Sequence, residues 1–174
     1  MSQEGDERLI GFHVDGAAAA LPLAIVREVT DRPGVVRVPG THPFVSGVAL
    51  HGGVALPVYD LRRFALLWPG RNPEDPRTAP EVADRLIVCD WGEISLAFLG
   101  ARVDLVEDRG ESPDGEEPEG RPCRMGGDFV KRYLHFHGEA MALLDIDRLF
   151  SSLGVPAAEP PGRRETGEDN PARG

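Results

Sequence analysis

Lysine is almost absent from this 174-residue chain: Lys131 stands alone beside 18 arginines, and 19 basic residues face 29 acidic ones, for a formal net charge of -10. A nucleic-acid binder needs a clustered basic surface to neutralise phosphates, and the arginines form no such cluster. The longest uncharged apolar run, Ala17 to Val26, contains Pro22 and falls well short of the ~20 residues that cross a bilayer. No direct membrane insertion is expected. The acidic start, MSQEGDE, is unlike a secretory signal, which predicts a cytoplasmic protein. Two cysteines, Cys89 and Cys123, without CxxC spacing, give neither a disulfide framework nor a zinc site. GxSxG, Walker A, GxGxxG and HExxH are all missing, so nothing positive points to an enzyme, a cofactor or a metal.

The acidity that is present is local. The stretch Glu107 to Glu119, EDRGESPDGEEPE, holds seven acids and one arginine among Pro and Gly, and reads as a solvated acidic loop at 107–119. WPGRNPEDPRTAPE, with four prolines, reads as a linker at 68–81. Residues 1–7 and 154–174 lack hydrophobic periodicity and are expected to be flexible ends. One ordered domain is left at 8–153, split by the linker into subdomains at about 8–67 and 82–153.

The two halves repeat. Arg8-Leu9-Ile10 recurs as Arg85-Leu86-Ile87, and Val26 and Val29 recur as Val103 and Val106, all 77 residues on. Phe44 to Arg63 then aligns without gaps on Phe129 to Arg148, 85 residues on, and an insertion around the acidic stretch accounts for the slip. Each half carries short apolar runs joined at turn pairs: Asp15-Gly16 and Gly52-Gly53 in the first, Gly92-Glu93 and Gly138-Glu139 in the second. LAIVREV after the first hairpin fits either a helical face or a strand. Five or so short strands per half, without long helices, predict a mainly β protein of two small antiparallel barrels sharing an interface, because ~70 residues make a marginal core alone.

Two constellations could carry chemistry. Asp60 and Asp145 are equivalent, each before a short helical run, and an acid–base pair must be weighed against helix N-capping, worth ~1 kcal/mol, which explains both carboxylates without chemistry. His135 and His137, two apart on an expected strand, share a face and with His51 or Asp145 could form a metal-dependent hydrolytic site. An exposed strand face is the simpler reading of the pair.

The run VREV, then VPGTHPFVSGVALHGGVALPVYDLRRF, Val26 to Phe64, resembles the CheW-like family of chemotaxis coupling domains. The matching positions are Val26, Glu28, Val29, Val38, Pro39, Phe44, Val45, Gly47, Val48, Gly53, Pro57, Val58, Asp60 and Leu61. In the second half, RLIVCDWGEISLAFL, Val103-Asp104-Leu105-Val106 and ALLDIDRLF agree as well, so the resemblance covers about Arg8 to Leu153. It implies two five-stranded SH3-like barrels on a shared core, with short helices. It further implies a non-enzymatic adaptor bridging methyl-accepting receptor tips to the regulatory domain of a chemosensory histidine kinase, recruited to membrane-associated receptor arrays. Partner contacts would fall at Val26, Glu28, Val29, Val38, Val48, His51 and Gly52, and Gly47, Gly53, Pro57, Asp60, Val103, Asp104 and Asp145 would be structural. Where the family carries an arginine before the hairpin glycine, this chain has Gly52, or His51 after a one-residue slip. An alternative role is an accessory adaptor whose acidic loop recruits a different partner.

Overall fold

The computed structural model describes residues 7–31, 34–64, 82–108 and 125–155. The expected linker, nearly all of the acidic stretch, and the tail beyond Val155 lie outside them. Ten strands run β1 Glu7–Val14, β2 Ala17–Pro22, β3 Val26–Asp31, β4 Val35–Val36, β5 Val45–His51, β6 Val54–Tyr59, β7 Arg85–Trp91, β8 Ile94–Asp108, β9 Val130–Phe136 and β10 Glu139–Leu144, followed by helix α1 at Ile146–Ser152. The mainly β expectation holds, and the ambiguous LAIVREV resolves into a 3-10 turn at Leu23–Ile25 and then strand β3.

Every repeated segment becomes a repeated strand: β7 follows β1 at 77 residues, and β9 and β10 follow β5 and β6 at 85. The turns obey φ. Asp15-Gly16 (48°, 74°) and Gly52-Gly53 (56°, 80°) both sit in the left-handed region that two-residue hairpins of the I′ kind require. In the last hairpin the turn is His137-Gly138 (49°, 82°), one residue earlier than Gly138-Glu139, because His137 takes the left-handed position and Glu139 already belongs to β10.

The halves at 8–67 and 82–153 do not each close their own barrel. β8, 15 residues long, pairs through Ile94–Gly100 with β7 and through Ala101–Asp108 with β1. One open barrel therefore runs from the end of β8 through β1, β2 and β10 to β9; the other joins β3, β7, the start of β8, β6, β5 and β4. Both parallel contacts, β2 with β10 and β6 with β8, link the halves. The interior of the first barrel holds Leu9, Ala18, Ala20, Val106, Leu134, Met141 and Leu143, and that of the second holds Ala49, Leu56, Val58, Leu86, Val88, Ala97 and Leu99.

A third and larger cluster lies between the sheets, including Phe12, Leu21, Trp91, Leu96, Phe98, Leu144, Leu149 and Phe150. Strands at the junction bury both faces: on β2, Ala17, Ala19 and Leu21 face the shared core while Ala18 and Ala20 face the barrel interior. This is why Ala17–Leu21 reads as an unbroken apolar run rather than an alternation. Each large side chain buried there contributes ~1.5–3 kcal/mol. Gly154 and Val155, assigned to the flexible tail from sequence, are described, and Val155 packs in this shared core.

Cys89 is part of it too, fully buried, and burial with a smaller contribution from the Asp90 charge pushes its thiol far up from the usual range. In a Cys123→Ser chain, Cys89 should therefore ignore a disulfide reagent at pH 8 until denaturant unfolds the protein; stoichiometric labelling of the folded chain would contradict this packing. Gly47 has the tightest backbone approach: a Cβ there would lie 2.2 Å from the Val36 carbonyl oxygen, at φ 153°. Gly47→Ala must push β4 off β5 and is expected to cost about 3 kcal/mol, read as a lowered urea midpoint.

Candidate functional site

The hairpin β5–β6 with the short β4 has apolar residues on both of its faces. Inward, Ala49, Leu56 and Val58 fill the second barrel. Outward, the register aligns Val36 with Val48 and Val48 with Pro57, and next to them Leu50 with Ala55. Directly opposed residues share a face, so these five form one apolar surface. Val36 and Leu50 are each 69% exposed, and Val54 at the turn is 55% exposed. An apolar sheet face left to water marks an interaction surface.

Beside this face the second barrel is open, since β3 pairs with β7 and with neither β4 nor β5. A side-chain pair spans the gap: His51 Nε2 lies 2.7 Å from Glu28 Oε1. Arg27 continues the chain, with Nε 3.5 Å from Glu28 and Nη1 3.2 Å from Asp90, which also accepts from Ser95 Oγ at 2.6 Å. β5, β3, β7 and β8 are thus tied along the rim by polar contacts. Partly exposed pairs like these contribute little to stability, so their effect is to fix the position of β3 against the hairpin.

The residues expected to meet partners divide accordingly. Glu28 and His51 form the rim pair, Val48 lies on the apolar face, and Val29 and Val38 are exposed at 37% and 41%. Val26 is different: it pairs with Cys89 and packs half-buried against the shared core, so Val26→Asp perturbs folding as well as any surface. Gly52 serves the turn and has open space beyond it. Leu50, Val36 and Ala55 were not singled out from sequence; the signal available was the two-faced apolarity of VALH-GG-VALPV, which a strand covered on one face alone would not carry.

Asp60 is 3% exposed and accepts from Arg62 N at 3.0 Å, while Arg62 Nε and Nη2 reach its two oxygens at 2.8 and 2.7 Å. That bond, opposed by burial and helped by the charges of Asp60 and Asp15, holds the Arg62 guanidinium pKa above its ordinary value. Asp145 accepts from Arg148 N at 3.1 Å at the start of α1. Both carboxylates are engaged as caps and ion-pair partners. Val103 packs against the shared core, and Asp104 lies exposed on β8. His135 projects from β9 whereas His137 occupies the turn against Phe136, so they do not form the shared strand face on which the metal alternative depended. Among the described residues no group of three metal-ligating side chains converges.

Two interleaved open barrels with an uncovered apolar hairpin and a polar rim define a protein-binding module. The CheW-like domain profile matches residues 8–154, so the chain belongs to the CheW-like family, an adaptor family rather than an enzyme family. It is similar to the chemotaxis protein CheW of Bacillus subtilis (strain 168), 30% identical over 116 residues, spanning 66% of this chain and 68% of that protein. Its fold matches the crystal structure of the scaffolding protein TtCheW from Thermoanaerobacter tengcongensis with a TM-score of 0.63 at 16% identity, covering 86% of this chain and 92% of that one. No helix among the described residues is long and apolar enough to cross a membrane.

Apolar side chains on an exposed face stabilise little, so Leu50→Asp should leave thermal unfolding within about 0.5 kcal/mol of the parent, checked by calorimetry. A large loss of stability would mean the face is covered in the free protein.

Proposed function

We propose that this chain is a cytoplasmic chemosensory adaptor that holds the regulatory domain of a histidine kinase and the tips of methyl-accepting receptors. The observation that carries this reading is the outward apolar face of Val36, Val48, Leu50, Ala55 and Pro57 beside the Glu28–His51 rim, on the fold of the CheW-like family. Apolar contact supplies the affinity, and the rim charges set the register and reject wrong partners. His51 holds Glu28 where the family arginine is missing, with an imidazole that also donates to the carboxylate when neutral.

Co-purification and calorimetric titration with a chemosensory kinase and a receptor from the same genome test the proposal directly. Leu50→Asp should weaken the kinase complex at least tenfold, because it sets a charge in a desolvated contact. Glu28→Lys removes the acceptor that His51 faces and sets a second cation beside Arg27, and should weaken binding severalfold with little change in stability. If neither kinase nor receptor binds the parent chain, the proposal fails.

A further inference from the structure

Beside the outward apolar face, the connection between β4 and β5 encloses a hollow of about 450 Å³ that opens to solvent. It continues that face, beginning at Arg37, directly after Val36, and taking in Ser46 of β5, two residues before Val48. Val38, Pro39 and Pro43 give it an apolar wall, and its two charged groups are both cations, Arg37 and Arg63. No carboxylate of the described residues lines it, although the chain as a whole carries 29 acidic residues against 19 basic ones. A cleft walled by one sign of charge concentrates ions of the other.

The hollow is built before any ligand arrives. Val45 N–H donates to the His42 carbonyl at 2.9 Å, and Thr41 Oγ1 donates to the Val38 carbonyl at 2.9 Å. The His42 ring lies on Phe44, with ring centres 4.5 Å apart, and Phe44 lies on Phe64 at 3.9 Å. Arg63 is braced from below, its Nη1 donating to the Pro43 and Val45 carbonyls at 3.3 and 3.5 Å. The nearest acid, Asp60, is engaged at both oxygens by Arg62, whereas Arg63 Nε stands 3.8 Å off. One carboxylate cannot cancel two guanidiniums, so Arg63 keeps charge to offer. Arg37 has no ion-pair partner among the described residues. A single inorganic anion would leave most of this space empty; side chains with their backbone fill it better.

We propose that this hollow binds an acidic segment of the partner that docks on the β4–β6 face, with one carboxylate on Arg63, a second on Arg37, and an apolar side chain against Val38 and Pro39. The inference rests on reading that face as the docking surface. It adds to the apolar contact a charged anchor that selects partners carrying acids next to the contact and fixes their direction across the face.

The probe is an array of blocked heptapeptides with two Glu or Asp residues one to three positions apart beside Leu or Ile, and a matched set with Gln and Asn in place of the acids. Peptides of the acidic set should bind the full chain at ~50 mM salt, weaken severalfold at ~300 mM, and shift the backbone amide resonances of Gly40 to Ser46. Inorganic phosphate at equal ionic strength should not displace them. Arg37→Glu should weaken binding about tenfold, and Arg63→Lys, which keeps the charge but loses the guanidinium fork, severalfold. Leu50→Asp should leave peptide binding unchanged, and Arg37→Glu should weaken the kinase or receptor complex severalfold. If neither kinase nor receptor binds the parent chain, the functional reading fails while the peptide measurements still decide the site. A chain with Glu111, Asp114, Glu116, Glu117 and Glu119 changed to their amides should bind the peptides as its parent does; a gain above about tenfold would make the chain's own acidic stretch the occupant and overturn the assignment to a partner. The inference is also overturned if no acidic peptide binds, if the amide set binds as well, if phosphate displaces the peptides, or if a folded Arg37→Glu chain binds as tightly as its parent.

Discussion

The fold depends on the crossing of β8 from one barrel to the other. Its first part completes the second barrel against β7, its last part completes the first barrel against β1, and β3 makes the reciprocal exchange by pairing with β7. The crossing falls at Gly100, where a Cβ would lie 3.0 Å from Phe12 and 3.2 Å from Ile87, and at Arg102, whose φ of 47° bends the strand. Neither half can close its barrel without strands from the other. Unfolding one barrel must therefore strip the other of paired backbone as well as of the shared core, which couples the two into one cooperative unit. That coupling makes the two barrels fold and unfold together.

Much of this was legible in the residues and some was not, for physical reasons. Repeat offsets, turn pairs and the Asp60 and Asp145 caps are local signals, and local signals survive in a sequence. Strand exchange leaves almost no local trace: Val26–Val29 and Val103–Val106 look alike whether they pair within their own half or across, because the register is decided by the partner strand and not by the segment. The last turn falls one residue before the expected Gly138-Glu139 because His137 takes a left-handed φ, which is uncommon outside glycine and leaves no mark in the sequence. On the site, Glu28, His51, Val29 and Val48 came from family resemblance, whereas Leu50 and Val36 needed a register to show that they join Val48 on one face.

The two repeats have also diverged where it bears on function. The interiors are filled differently: the first barrel has Gly11 and Met141 where the second has Val88 and Leu56, and a Cβ on Gly11 would lie 2.8 Å from Val106 and 2.9 Å from the Met141 methyl. The long, unbranched Met141 reaches into the room that Gly11 leaves, so compensation is by shape, as close packing demands. No such compensation is required of the outer surfaces, and there the halves part company.

Leu50 corresponds to exposed His135, Val54 to Glu139, and Val48 to Tyr133, which packs on the shared core and donates its hydroxyl to the Met125 carbonyl. Glu139 in turn meets His13 at 2.6 Å, so the first barrel answers an apolar position with a cross-strand polar pair. Val29, 37% exposed, corresponds to Val106, 3% exposed inside the first barrel. Duplication alone would have produced two equivalent apolar faces and a symmetric module open to association at both ends. With one face made polar and its rim valine buried, a single apolar hairpin remains among the described residues, and the adaptor has a polarity: one barrel presents the apolar β4–β6 face, the other the polar β9–β10 hairpin.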